Sequence, residues 1–236
     1  MIDIHSHVLP FIDDGAKNIE EALCLLKMQK KQGADYVVAT PHFSNENTSI
    51  SQFLSKREQS YNLLKEEIKK HKSSDFPEIT VASEVMLTES ITDIDDFSLL
   101  CMPDKKHILI ELPMFNCDNW VFDKLFEITA TKSVIPIIAH VERYMMMQND
   151  GFIKKLLGLN LPLQFSLSVA QTRTELKRFI KFFKLAPELF KYVGSDCHNI
   201  GLRAPDIDKY YPVLIKKLGK NHIEYVLNCS NKLIST

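Results

Sequence analysis

Residues 134–140 read VIPIIAH, a short and nearly unbroken apolar run that stops on a histidine. Six other stretches share its character: residues 2–5, 36–40 (YVVAT), 79–84 (ITVASE), 108–111 (ILIE), 161–165 (LPLQF) and 192–195 (YVGS). Continuous β-branched runs of this length read as strands covered on both faces, the habit of a parallel sheet. Helix signals fill the gaps. Asn18 followed by Glu21 forms a capping-box pattern that opens a helix running to Gly33, a suitable residue just past a helix end. Ile50, Phe53, Leu54, Tyr61, Leu64 and Ile68 trace one face of a second helix, and Asn221 with Glu224 predicts a cap for a short final one. Strands alternating with helices define an α/β fold. A TIM-like barrel is one closed solution, although an open doubly wound sheet would leave the same local pattern.

The ends of the runs favour the barrel. His5 and His7 lie two apart, so in extended chain they share a face and can chelate. The second run leads to Thr40-Pro41-His42, the third ends in Glu84, the fourth in Glu111, the fifth in His140 and the seventh in Ser195-Asp196-Cys197-His198. Six of seven predicted strands thus end in a ligand-type residue, and in parallel α/β folds the carboxyl ends of strands converge on one crevice. Each residue alone has a plain alternative as a surface carboxylate or a helix cap. The set as a whole does not. Carboxylates crowded there would repel one another without a cation. Imidazole and carboxylate without thiolate suit manganese, iron or zinc, and so many donors exceed the needs of one ion, implying two or three. His71, His107 and His222 fall away from strand ends and are expected in solvated positions.

Bulk properties narrow the partners. With 29 Lys and Arg against 30 Asp and Glu, no global field favours nucleic acid, so attraction for an anion must be local. The first residues lack the basic start and apolar core of a signal peptide, and no stretch approaches the roughly 18 apolar residues of a membrane span. A cytoplasmic protein without membrane insertion is expected. Five cysteines without CxxC spacing argue against a disulfide framework or a thiolate zinc site, and are expected mostly as buried small hydrophobes.

HSH at residues 5–7, DDG at 13–15, TPH at 40–42, AHVERY at 139–144 and SDCHN at 195–199 together resemble the polymerase and histidinol phosphatase (PHP) superfamily. Within it the chain is similar to the bacterial manganese-dependent protein tyrosine phosphatases encoded with capsule and exopolysaccharide genes. The resemblance implies a single domain over residues 1–236, a distorted seven-stranded (β/α) barrel with a trinuclear site. His5, His7, Glu84 and Asp196 would hold the first metal, with Glu84 bridging to a second held by Glu111 and His140. Asp14, His42 and His198 would hold the third, and Arg143 and Arg203 would bind phosphate. Manganese is the implied ion, with iron or zinc as alternatives. The implied partner is a phosphotyrosine protein, in particular a bacterial tyrosine kinase of polysaccharide synthesis. Val141 and Cys197 stand where the family has proline and alanine, and neither replaces a ligand. The stretch around Gln164 matches the family only loosely.

Such a site suits phosphate-ester hydrolysis, because clustered cations lower the pKa of bound water and neutralise phosphoryl oxygens, while forked guanidiniums orient the remainder. Alternatives remain at this level: a superfamily enzyme acting on histidinol phosphate or a nucleic-acid phosphodiester, or a non-catalytic module recognising a phosphorylated tail. Cys197 and Arg203 also show the C-x5-R spacing of cysteine-dependent tyrosine phosphatases, but the intervening HNIGL is poor in glycine and Asp196 would repel a thiolate.

Overall fold

The protein is described here by a computed structural model covering residues 1–115 and 117–235. In chain order its elements are β1 (Ile2–Ser6), α1 (Ile19–Lys31), β2 (Tyr36–Ala39), β3 (His42–Phe43), α2 (Ile50–Ile68), β4 (Glu78–Val81), β5 (Glu84–Met86), β6 (His107–Glu111) and α3 (Asn119–Thr131). Then follow β7 (Ile135–Ile138), α4 (Val141–Met147), α5 (Asp150–Gly158), β8 (Leu163–Ser166), α6 (Arg173–Phe183), β9 (Phe190–Gly194), α7 (Ile207–Leu218) and α8 (Lys220–Ile234).

All strand pairs run parallel, in the orders β1-β2-β4 and β3-β5-β6-β7-β8-β9. The two sheets are one wall, because β3 continues the course of β2 and β5 that of β4 within two residues of chain. Backbone bonds from Ala82 N to Ala39 O (2.9 Å) and Glu84 N to Pro41 O (3.1 Å) stitch the break. On the other side Asp196 N donates to His5 O (2.8 Å) and His7 N to Cys197 O (2.9 Å), with a parallel bridge between Ser6 and Cys197. Seven strand positions therefore follow one another around a closed, distorted barrel.

Alternate side chains divide between two cores, as parallel strands covered on both faces require. Ile4, Val38, Leu109, Ile137, Ala139 and Tyr192 fill the barrel, closed by Met102 and by Leu233 of α8 at the end away from the site. Val37, Ile108, Ile110, Ile138, Phe165 and Val193 face outward under the helices. α1 begins where Asn18 accepts from Glu21 N at 2.8 Å, and Gly33, at φ +98, supplies the left-handed turn that ends it. The Glu21 carboxylate reaches Lys17 N at 3.0 Å instead of closing the expected box on Asn18.

The structure departs from the sequence reading at four points. Residues 79–84 are not one strand but parts of β4 and β5, because the chain changes sheet at Ala82. The last helix starts at Lys220 after Gly219 (φ +89), which stops α7, so Asn221 lies inside the helix and caps nothing. His107 and His222 are half-buried, His107 bonded to Asp104 at 2.6 Å, and only His71 is exposed. Among the cysteines Cys101 and Cys197 are buried, while Cys24 is exposed.

Gly194 marks the tightest contact of β9 with β1: a Cβ there would stand 2.6 Å from His5 Cβ and 3.1 Å from His5 N. Gly194→Ala is expected to cost about 1–3 kcal/mol by forcing β1 outward. Denaturant unfolding of the metal-free protein measures this, and an unchanged midpoint would mean that the β1–β9 contact yields freely.

Candidate metal centre

The mouth of the barrel is built by the residues that follow each strand. Pairing of β1 with β2 slips by one residue between Asp3 and Ser6, a bulge. Its effect is that Ile4 packs inside the barrel while the next residue, His5, reaches Glu84 and Asp196. Met86 of β5 pairs with Glu111 at the end of β6, which sets the carboxylates of Glu84 and Glu111 around one point. His140 (φ 30) and Asp196 (φ 52) leave their strands in the left-handed region, disfavoured for residues with a Cβ by on the order of 1 kcal/mol or more.

All nine sequence-assigned ligands meet here. Glu84 Oε2 lies 3.1 Å from His5 Nε2, 3.2 Å from His7 Nε2 and 3.1 Å from His42 Nδ1. Its other oxygen is 2.9 Å from His140 Nε2, which is also 3.2 Å from Glu111 Oε1. Asp196 Oδ1 stands 3.6 Å from both His5 and His7. Asp14 Oδ1 is 3.4 Å from His42 Nε2 and 3.4 Å from His198 Nε2, with His7 and His198 rings stacked at 3.8 Å.

These donors fit metal ions better than they fit one another. His5 Nδ1 is engaged by Gln164 Oε1 (3.1 Å) and His7 Nδ1 by Asp13 Oδ2 (2.7 Å), so each acceptor fixes the ring proton on Nδ1 and turns an Nε2 lone pair inward. The two Nε2 atoms then face each other at 3.2 Å. Two lone pairs at that distance repel unless a proton or a cation lies between them. The buried Glu84 Oε2 and His198 Nε2 likewise form no directed hydrogen bond despite their close neighbours. Three sets of donor atoms converge, His7-Asp14-His42-His198, His5-His7-Asp196 and His42-Glu84-Glu111. They overlap the three-ion division implied by the family resemblance but differ from it. His7 and His42 are each shared between sets, Glu84 stands with His42 and Glu111 and not with His5 and His7, and His140 is in none of the three.

Without metal, the charges compensate among themselves. Burial opposes charge on His5, but Glu84 and Asp196 outweigh it and raise its pKa to about 9. His42 is likewise raised to about 9, against burial, by Glu84 and Glu111. Burial works against the Glu84 and Asp196 carboxylates too, yet His5 above all holds both well below the usual carboxylate range. His198 goes the other way: burial and the His7 ring depress it to about 3, so it stays neutral, as a ligand must.

Arg143 and Arg203 flank this centre on the solvent side. Arg143 pairs with Asp196 and lies 4.0 Å from Glu111; Arg203 is 3.1 Å from Asp196 and 3.6 Å from Asp14. Both line a cleft of about 590 Å³ together with Asp14, His42 and Glu111, and with apolar walls from Ile12, Phe43, Phe53 and Met86. Cys197 is not part of it. Its side chain belongs to the hydrophobic core, and burial, reinforced by Asp3, pushes its thiol far above the ordinary range. The C-x5-R spacing is therefore a coincidence of sequence.

A parallel α/β barrel with imidazoles and carboxylates converging at its mouth is an arrangement suited to a metal-dependent hydrolase. The chain belongs to the capsular polysaccharide synthesis CpsB/CapC family, whose model matches residues 1–234. It is similar to the tyrosine-protein phosphatase CpsB of Streptococcus pneumoniae, 28% identical over 93% of this chain and 91% of that one. The tyrosine-protein phosphatase YwqE of Bacillus subtilis (strain 168) is 29% identical over 99% and 91%. Among solved structures, a chain from the crystal structures of B. subtilis YwqE and S. pneumoniae CpsB, described as unique metal-dependent tyrosine phosphatases, superposes with a TM-score of 0.82 at 21% identity, covering 99% of this chain and 94% of its own. A lactonase, Lmo2620 from Listeria monocytogenes, shares the fold more distantly, with a TM-score of 0.58 at 9% identity, over 99% and 94%. The family read from the motifs is borne out.

Two supporting residues were given no role by sequence reasoning. Asp13 orients His7 and also accepts from Gly15 N (3.0 Å) and His42 N (3.0 Å), tying the 13–15 turn to β3. Gln164 holds His5 and, at 2.6 Å, the backbone of His140. A signal existed for the latter, since Gln164 is the lone polar side chain of the apolar LPLQF run.

Metal loading is expected to compete with protons. A metal needs neutral imidazole, and in the metal-free fold His5 and His42 hold protons up to about 9, so binding releases protons below that pH and tightens as pH rises from 6.5 toward 9. By the same raised values, the metal-free protein keeps this stabilisation below pH 6.5 and loses it as pH climbs through about 9. Calorimetry in buffers of different ionisation enthalpy counts the protons; an affinity flat across this range would contradict the charge pairing described.

Proposed function

We propose that the chain is a manganese-dependent protein-tyrosine phosphatase of cytoplasmic capsular or exopolysaccharide synthesis, acting as one catalytic unit over residues 1–236 on a phosphotyrosine protein such as a polysaccharide-synthesis kinase. The observation that carries this reading is the pairing of three convergent metal-donor sets, His140 standing beside Glu84 and Glu111, with two guanidiniums on their rim, opening into a cleft partly lined by apolar side chains. Membership of the CpsB/CapC family and the names of the CpsB and YwqE relatives support the substrate and the biological setting. The absence of thiolate from the donor set and the dominance of carboxylate and imidazole favour manganese, with iron or zinc as substitutes. Five free thiols are in keeping with a reducing compartment.

His5, His7, Glu84 and Asp196 would hold one ion, Glu84, Glu111 and His140 a second, and Asp14, His42 and His198 a third. When bound, such ions supply a water of lowered pKa as nucleophile and neutralise the phosphoryl oxygens. The chain itself does the rest. Arg143 and Arg203 release their carboxylates, which metal charge would then satisfy, and turn their forked donors to the non-bridging oxygens of the ester. The aryl ring lies along Ile12, Phe43 and Met86, which exclude water from one side of it. The new P–O bond forms to the water oxygen as the bond to the phenolic oxygen breaks. A phenolate is a good leaving group, so no strong general acid is required of the chain.

The purified protein is expected to hydrolyse an aryl phosphate and a phosphotyrosine peptide, best with manganese, and to fall to background with chelator. Glu84→Ala should abolish this turnover, because it removes the carboxylate that His5, His7, His42 and His140 all approach, whereas the nearly isosteric Cys197→Ser should retain most of it. Full activity without metal, or a Cys197→Ser protein that is inactive yet fully metal-loaded, would overturn the assignment.

Separately, Arg143→Ala and Arg203→Ala are each expected to lower kcat/KM by on the order of tenfold or more through loss of a charge-assisted contact. Metal content should stay near that of the parent. Unchanged kinetics in both variants would return the two arginines to a purely structural pairing with Asp196.

A further inference from the structure

The catalytic cleft is not the only concave surface at this end of the barrel. Between α6 and α7 runs a groove of about 730 Å³, with Leu176, Ile180 and Val213 on its floor and Arg173, Lys177 and Lys217 on its edges. The floor side chains are half-buried and the three cations exposed. No carboxylate lines the groove, and none of the three cations forms a salt bridge among the described residues. Elsewhere on the same helix the rule is the opposite: Lys181 and Arg178 of α6 both pair with Asp150. On α6 the cations without a salt bridge among the described residues are thus the two that edge the groove, Arg173 and Lys177, and Lys217 of α7 lines it with them around an apolar floor.

The groove adjoins a hollow beside the two arginines, with which it shares Gln171. Gln171, exposed at the start of the α6 segment, lines the groove and also a second hollow formed by Arg143, Ser168, Asp196 and Arg203. A chain leaving that hollow, whose lining also includes Asp206, passes Gln171 on its way to Arg173. An extended polypeptide fits this course, with apolar side chains on the floor and carboxylates on the cationic edges. An anionic membrane surface fits poorly, because the groove is recessed and its apolar residues do not protrude.

We propose that this α6–α7 groove is a docking site for an acidic segment of the phosphoprotein substrate next to its phosphotyrosine, which makes Arg173, Lys177 and Lys217 specificity residues for the reaction. The inference rests on the phosphatase reading of the neighbouring centre. It adds the class of sequence that the enzyme selects. Because the contacts are solvent-exposed ion pairs, they act on encounter and on KM, weaken with salt, and leave kcat alone.

The test compares the metal-loaded full chain with the variant Arg173→Glu/Lys177→Glu/Lys217→Glu, none of whose positions touches the metal centre. Substrates are an aryl phosphate, a phosphotyrosine peptide with neutral flanks, and peptides with a glutamate run on either side. The parent should prefer one acidic peptide by roughly tenfold in kcat/KM at low salt, through KM. The variant should lose that preference while aryl phosphate and neutral peptide turnover stay unchanged. Binding of the labelled acidic peptides, measured by fluorescence anisotropy, reads the groove without turnover. Loss of binding in the variant of a chain that hydrolyses nothing would keep the groove and sink the phosphatase reading. A parent without acidic preference, a preference that survives the charge reversal, or variant-sensitive binding to phosphatidylglycerol vesicles without peptide preference would each overturn the proposal.

Discussion

Four carboxylates and five imidazoles share the mouth of this barrel, most of them out of contact with water, and their mutual electrostatics constrain everything around them. Charges removed from water are costly unless paired, and here Glu84 alone has four imidazole nitrogens within 3.2 Å. In the metal-free chain the pairing is met by protons on His5 and His42 and by two arginines on Asp196. On the proposed function a divalent cation would take over both kinds of pairing, leaving neutral imidazoles as ligands and Arg143 and Arg203 available for phosphate.

The scaffold's task is to hold those groups in place against their repulsion. It does so with backbone features rather than with bulk. The bulge in β1 lets Ile4 serve the core while His5 serves the site, and the left-handed residues His140 and Asp196 turn the chain sharply as it leaves β7 and β9. Gln164 and Asp13 then fix the imidazole faces through Nδ1. Gly194 permits β9 to lie against His5 so closely that a methyl group would collide. The strain and the omitted side chain are local costs, offset by two hydrophobic cores that clamp every strand from inside and outside the barrel.

The rim combines two chemistries. Arginines and ligand carboxylates line the cleft together with the apolar Ile12, Phe43 and Met86, and the basic groove between α6 and α7 shares Gln171 with the hollow beside the arginines. Near-neutral net charge across the chain conceals this local polarity, which is why composition argued only against a global field.

Much of this was legible in the sequence. The β-branched runs announced parallel strands, and the histidines and carboxylates at their ends announced a metal site, because strand periodicity and ligand chemistry are local properties carried by neighbouring residues. The motifs around His5, Asp14, His42, His140 and Asp196 named the family for the same reason. What stayed hidden depends on partners distant in the chain. The break of residues 79–84 into β4 and β5, the core burial of Cys197, the hold of Gln164 on His5 and the adjacency of the α6–α7 groove to Arg203 all arise from contacts across the barrel. Local spacing determined which residues could bind metal; only closure of the barrel decided which of their atoms face one another, because that distance is set by the register of strands far apart in sequence.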